Sequence, residues 1–190
     1  MGHGAGGGVG ARDLVVLAEQ LPRHGLTVVR MEQPWRVSGR RIAGSPPTLD
    51  EAWLSVLDQL GDSGIATARL VVGGRSAGAR VAFRTAAGRQ ALGVLALGFP
   101  LHPPGRAERS RRHEISDEVP ALIVQGASDV YGRPEEFADL PARVRLARIP
   151  GTDHGFQVRG RVPITQHEAE ELIVDRCLDW LIPLTDREST

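Results

Sequence analysis

An α/β architecture, in which helices cover both faces of a mostly parallel sheet, is what this chain of 190 residues predicts. Strand-like and helix-like segments alternate from Leu14 onward, the pattern of a sheet wound with crossover helices. A hydrophobic content of 41% is enough for one sizeable core. No internal repeat and no linker divides the chain, so residues 1–190 read as a single domain.

The elements follow in order. Leu14 to His24 carries apolar residues at helical spacing and stops at Gly25, a C-cap residue. Leu26 to Met31 then reads as a strand. A polar loop from Gln33 to Thr48, punctuated by Pro34, Gly39, Gly44, Pro46 and Pro47, leads to a helix from Leu49 to Leu60. Trp53, Leu54, Leu57 and Leu60 form the inner face of that helix. Arg69 to Gly73 is the next strand, Ser76 to Ala87 a helix and Ala91 to Gly98 a buried strand. Pro120 to Gln125 and Val144 to Ile149 complete the strand set. The last helix, Gln166 to Leu181, places Ala169, Leu172, Ile173, Cys177 and Trp180 on one side. The front of the chain breaks the pattern. His3-Gly4-Ala5-Gly6-Gly7-Gly8 reads as a loop that follows a strand, yet two residues precede it, so the expectation is either an upstream start or a sheet lacking a strand.

Composition narrows the function classes. Twenty-three basic residues, every one of them Arg, balance 23 acidic ones. That neutrality argues against a general nucleic-acid binder, which needs a clustered positive surplus to displace counterions. The single Cys177 allows no intrachain disulfide and suits a reducing compartment. No apolar run reaches the ~18 residues of a membrane helix. The first residues also lack the basic and apolar regions of a signal peptide, so a cytoplasmic protein is expected. Histidines and the cysteine are scattered without ligand spacing, and no metal or other cofactor is predicted.

The chemistry is carried by Gly73-Gly74-Arg75-Ser76-Ala77-Gly78. A strand that meets Gly-x-Ser-x-Gly at a helix start is a nucleophile elbow: the serine sits on a strained strand-to-helix turn and its hydroxyl enters a cleft. Such a hydroxyl needs a base within reach and a carboxylate to orient that base. Asp129 follows one strand through Gly126-Ala127-Ser128, and His154 follows the next through Pro150-Gly151-Thr152-Asp153. Both loops lie beyond strand C-terminal ends, where catalytic groups gather in open α/β sheets. Ser76 is the expected nucleophile, His154 the base and Asp129 the orienting acid, with Glu135 or Glu136 as replacements for Asp129. An acyl-transfer site also needs N–H donors for the oxyanion. Ala77, just after the nucleophile, is one candidate, and Ala5 in the glycine-rich loop is the other, with Gly6 as the fallback.

On these residues, together with Gly98-Phe99-Pro100-Leu101-His102-Pro103-Pro104-Gly105, Gln125-Gly126 and Asp153-His154-Gly155-Phe156, the chain resembles small α/β hydrolases related to dienelactone hydrolases. Within that family it is similar to a branch that includes a testis-expressed protein and a subunit of the nonspecific-lethal histone acetyltransferase complex. The resemblance spans nearly the whole chain. It implies an α/β-hydrolase fold without a large cap domain, and a Ser-Asp-His triad acting on a small ester or related acyl substrate. The chain departs from the family pattern at its short N-terminus, because the strand before His3 would be central in such a sheet.

Other residues carry blander expectations. Asp153 shapes its loop, His102 is structural, Arg75 is solvated or salt-bridged, Arg106 to His113 is a solvated loop and Cys177 is core. Two alternative functions remain. One is a non-catalytic interaction module on the same fold. The other is a dinucleotide-binding protein, in which Gly2-x-Gly4-x-x-Gly7 would cradle a pyrophosphate and Glu32 a ribose.

Overall fold

A computed structural model describes residues 1–40, 43–65 and 69–185. Its centre is a parallel sheet of four strands in spatial order β1-β2-β3-β4: Val71–Arg75, Gly93–Leu97, Ala121–Gly126 and Val144–Ile149. Sequential order and spatial order coincide because each crossover returns to the neighbouring position. Helices α1 (Arg12–Gln20) and α5 (Gln166–Thr185) cover one face, and α3 (Pro46–Asp62) and α4 (Ala77–Thr85) cover the other. A short α2 (Pro34–Val37) interrupts the polar loop.

Two-residue periodicity decides what each face receives. On β2, Leu95 and Leu97 join the core under α1 and α5, while Val94 and Ala96 join the core under α3 and α4. On β3, Leu122 and Val124 point one way, Ala121 and Ile123 the other. From the helices, Leu14, Leu17, Ile173, Cys177 and Trp180 meet the first set, and Trp53, Leu57, Ala79 and Phe83 meet the second. Burying a Leu or Ile side chain in such a layer stabilises the fold by about 1.5–3 kcal/mol.

Most expected elements are present, with ends shifted by a few residues. Proline opens α3 at Pro46, ahead of the expected Leu49, since its missing N–H costs nothing at a helix start. The helix before Gly25 tightens into a 3₁₀ turn at Leu21–His24, and Gly25 closes it at φ 76°. Two expectations need correction. Leu26 to Met31 is not a strand of the sheet: its bridge is Met31 with Gly2, alongside Gly2 with Gly74. Among the described residues, Gly2 bridges it to β1 at a single position. A cavity of about 570 Å³ occupies the space beside them, lined by Leu26, Val28, Leu57, Leu70 and Val71 among others. The loop from Gln33 to Thr48 is not wholly irregular either. Trp35 in α2 is buried against His3 at 5.3 Å between ring centroids, so an apolar anchor overrode the turn signals; residues 41 and 42 of that loop lie outside the described residues.

Gly2 fixes the start of the chain against the elbow. Its N–H donates to Gly73 O and its carbonyl accepts from Arg75 N–H, both at 2.9 Å. A Cβ on Gly78 would overlap the Gly2 carbonyl, which is backbone and cannot swing aside. Gly78→Ala is therefore expected to cost about 1–3 kcal/mol of stability. Gly88→Ala, with nothing within 4 Å of the added carbon, should stay within about 0.5 kcal/mol. Urea midpoints of the two variants check the difference.

Candidate active site

Ser76 lies between the end of β1 and the first residue of α4, with φ 54° and ψ −109°. That backbone is sterically costly for any residue with a Cβ, on the order of 1–3 kcal/mol. The Ser76 N–H donates to Leu97 O at 2.9 Å, which ties the turn to β2. At the start of α4, the Ala77 N–H has no partner among the described residues.

Asp129 sits in the turn after β3, fully buried. Three groups satisfy and orient its carboxylate. Tyr131 N–H donates to Oδ1 at 2.8 Å, Gln125 Nε2 donates to Oδ2 at 2.7 Å, and His154 Nδ1 lies 2.7 Å from Oδ2. Gln125 is itself fixed by bonds to Gly132 O and Phe99 O.

His154 projects from the loop after β4. Asp153 folds that loop by accepting from Gly155 N–H at 2.8 Å and Gln157 N–H at 3.0 Å, while Arg159 pairs with its other oxygen at 2.9 Å. Partial burial works against ionisation of Asp153, but Arg159 and these N–H groups outweigh it and hold its carboxyl below the usual range. The His154 ring packs against Tyr131 at 4.3 Å, and its Nε2 lies 3.0 Å from Ser76 Oγ. A carboxylate can only accept at neutral pH, so Nδ1 carries the hydrogen and Nε2 is left to accept from the serine hydroxyl. Ser76, Asp129 and His154, three loops apart in sequence, thus form one hydrogen-bonded line. Glu135 and Glu136 stand elsewhere: Glu135 pairs with Arg148, and Glu136 pairs with His102 and caps Arg133 N–H.

The glycine-rich loop lies opposite. A Cβ on Gly4 would meet Ser76 Cβ at 3.0 Å, so the loop packs directly on the elbow. Buried His3 orients it. Its Nε2 faces Gln33 N–H at 3.0 Å and Glu32 Oε1 at 2.6 Å, and in either pairing Nδ1 donates to Gly4 O at 2.8 Å. In a planar trans peptide the following N–H, that of Ala5, points away from the Gly4 carbonyl and so away from His3. Ala5 is exposed, and its N–H has no partner among the described residues. Gly6 is exposed beside it with nothing within 4 Å of a built Cβ.

Sequence reasoning missed the supporting roles of His3, Gln125 and Tyr131, and the pairing of Arg75 with Asp13. Asp13, 1% exposed in the first turn of α1, is 3.3 Å from Arg75 Nε. Neither of its oxygens has a hydrogen-bond partner of good geometry. Glu32, the candidate ribose ligand, is engaged by His3 and Arg36. Gly2 is locked into the sheet and α1 starts only at Arg12, so the Gly2-x-Gly4-x-x-Gly7 run does not open a helix. His102 bridges Pro103 O and Glu136, and Arg112 bonds the carbonyls of Glu136 and Ala138. Cys177 is buried, and burial with the nearby Asp13 charge pushes its thiol up. The 570 Å³ cavity is not lined by Ser76, Asp129 or His154. No described helix is long and apolar enough to cross a membrane.

Burial pushes the Asp13 carboxyl up to about 6, against the opposing pull of Arg75 and the first-turn N–H groups. Between the ordinary carboxylate range and about 6 the folded chain holds a proton that the unfolded chain has lost. Stability from this group is present at pH 4 and lost as pH rises through 6. Asp13→Asn abolishes that loss. The stability difference, variant minus wild type, should grow by about 2–3 kcal/mol from pH 4 to pH 7 in urea titrations.

Comparison with known proteins supports the fold. A family model described as an alpha/beta hydrolase domain matches residues 1–181. An alpha-beta serine hydrolase homologue from Coxiella burnetii superposes with a TM-score of 0.70 at 20% identity, covering 92% of this chain and 83% of that one. An α/β serine hydrolase without a lid from Xanthomonas campestris gives 0.67 at 21% identity, covering 97% and 78%. A monoacylglycerol lipase from Paleococcus ferrophilus gives 0.65 at 16% identity, covering 96% and 92%. With a domain model matched over almost its full length and the same fold in these structures, the chain belongs to the alpha/beta hydrolase family.

Proposed function

We propose that this protein is a serine hydrolase of small carboxylic esters that works through an acyl-enzyme. One observation carries the reading: His154 bridges Asp129 Oδ2 at 2.7 Å and Ser76 Oγ at 3.0 Å. Ser76 Oγ attacks the acyl carbonyl as its proton passes to His154 Nε2. The carbonyl oxygen becomes an oxyanion, met by the unpartnered N–H groups of Ala5 and Ala77. Collapse expels the alcohol, which takes the proton from His154. Water then repeats the sequence on the acyl-serine, releasing the acid and restoring the hydroxyl. The Asp129 carboxylate holds Nδ1–H and stabilises the imidazolium. This chemistry calls for no cofactor. A closer affiliation with the testis-expressed branch rests on the stretch Phe99 to Gly105.

Hydrolysis of p-nitrophenyl acetate should show a burst equivalent to one acyl group per chain. Ser76→Ala should bring turnover to background, and Asp129→Asn should lower kcat by a factor on the order of 10³–10⁴. Folded wild-type protein without burst or turnover on a panel of short aryl esters would favour a non-catalytic interaction module instead.

A further inference from the structure

Arg75 precedes the nucleophile in the elbow, and ester hydrolysis as proposed gives it no task. Its side chain is nonetheless 14% exposed, buried further than an ordinary surface arginine. The guanidinium has neighbours on three different segments. Its Nε lies 3.3 Å from Asp13 Oδ2 at the start of α1, and its Nη2 donates to the His154 backbone carbonyl at 3.0 Å. A Cβ on Gly4 would meet Nη1 at 3.0 Å, and one on Gly155 would meet Nη2 at 3.4 Å. The planar fork is thus wedged between the glycine-rich loop, the first turn of α1 and the histidine loop. Asp13, buried and without another ion-pair partner among the described residues, anchors it from below.

We infer that Arg75 is a positioning residue that fixes the His154 loop and the oxyanion-side loop against the elbow, using Asp13 as its anchor. The inference rests on the serine hydrolase reading above. Lysine is not equivalent, because donors facing opposite ways are needed at once and an ammonium is a compact point charge. The charge-assisted bond to the His154 carbonyl is directional and sets position, while the buried ion pair with Asp13 supplies attraction. A displacement of ~1 Å in a catalytic group can cost on the order of 100-fold in rate. Arg75 touches none of the reacting atoms and acts through the backbone of His154.

The test pairs Arg75→Met/Asp13→Asn, which removes both charges together and leaves no orphaned carboxylate, with single Arg75→Lys, which keeps a cation beside Asp13. Kinetics are measured on p-nitrophenyl acetate, and the low-field proton resonance of His154 Nδ1–H is recorded at pH 7. Both variants should fold and show kcat reduced about 10- to 100-fold with KM within about threefold. In both, the Nδ1–H signal should broaden or move upfield as the bond to Asp129 loosens. Wild-type kcat with an unmoved resonance would overturn the inference, as would a rate loss that merely follows the folded fraction. If the double variant does not fold, the lysine variant alone decides on the same two readouts. The resonance reports His154 without turnover, so a wild type inert toward esters would sink the proposed function and leave this test in force.

Discussion

The backbone of Ser76 is held where no serine would settle by itself, and the arrangement of the site depends on that constraint. At φ 54° the residue turns the chain from β1 into α4 within one step, and it lifts Oγ to the height where His154 waits. The strain is offset by contacts that only small residues permit. Gly74 and Gly78 let the backbone of Gly2 lie against the elbow, and the Gly2 hydrogen bonds to Gly73 and Arg75 close the gap on that side. On the other side Ser76 N–H is tied to Leu97. The turn is therefore clamped by a strand on one flank and by the chain's first residues on the other.

The electrostatics of the site follow from how each carboxylate is accommodated. Asp129 is buried but surrounded by donors from Tyr131, Gln125 and His154, so its charge is answered on all sides. Asp13 is buried as well, and burial resists its ionisation against the pull of Arg75 and the first-turn N–H groups. The two buried acids also meet different partners. One orients a histidine. The other holds an arginine whose reach extends to the same histidine's backbone.

Much of this was legible in the chain, and the reasons differ by element. Gly73 to Gly78 could be read because an elbow demands glycine at fixed offsets, and Asp129 and His154 because each lies in the loop after a strand-like segment, Ala121 to Gln125 and Val144 to Ile149. The resemblance to small α/β hydrolases supplied the fold by name, and the matched domain model bears that part out. What stayed hidden depended on partners distant in sequence. Nothing local to Leu26 through Met31 indicates that, among the described residues, its link to β1 is a single bridge through Gly2. Pro34 and Gly39 are turn residues and point to a loop around Trp35, whereas its burial against His3 decides for a helical turn. For Arg75 the sequence points to a solvated or salt-bridged side chain but not to its partner: Asp13 lies 62 residues away, a distance over which no spacing rule operates.

The account stands on Ser76 being a nucleophile activated by His154. Peptide mapping by mass spectrometry after treatment with a fluorophosphonate tests that claim most directly. A single phosphonyl adduct on the peptide containing Ser76, absent when the protein is unfolded in urea before treatment, is the predicted result. Folded protein that carries no adduct, or carries it on another residue with Ser76 unmodified, would contradict it.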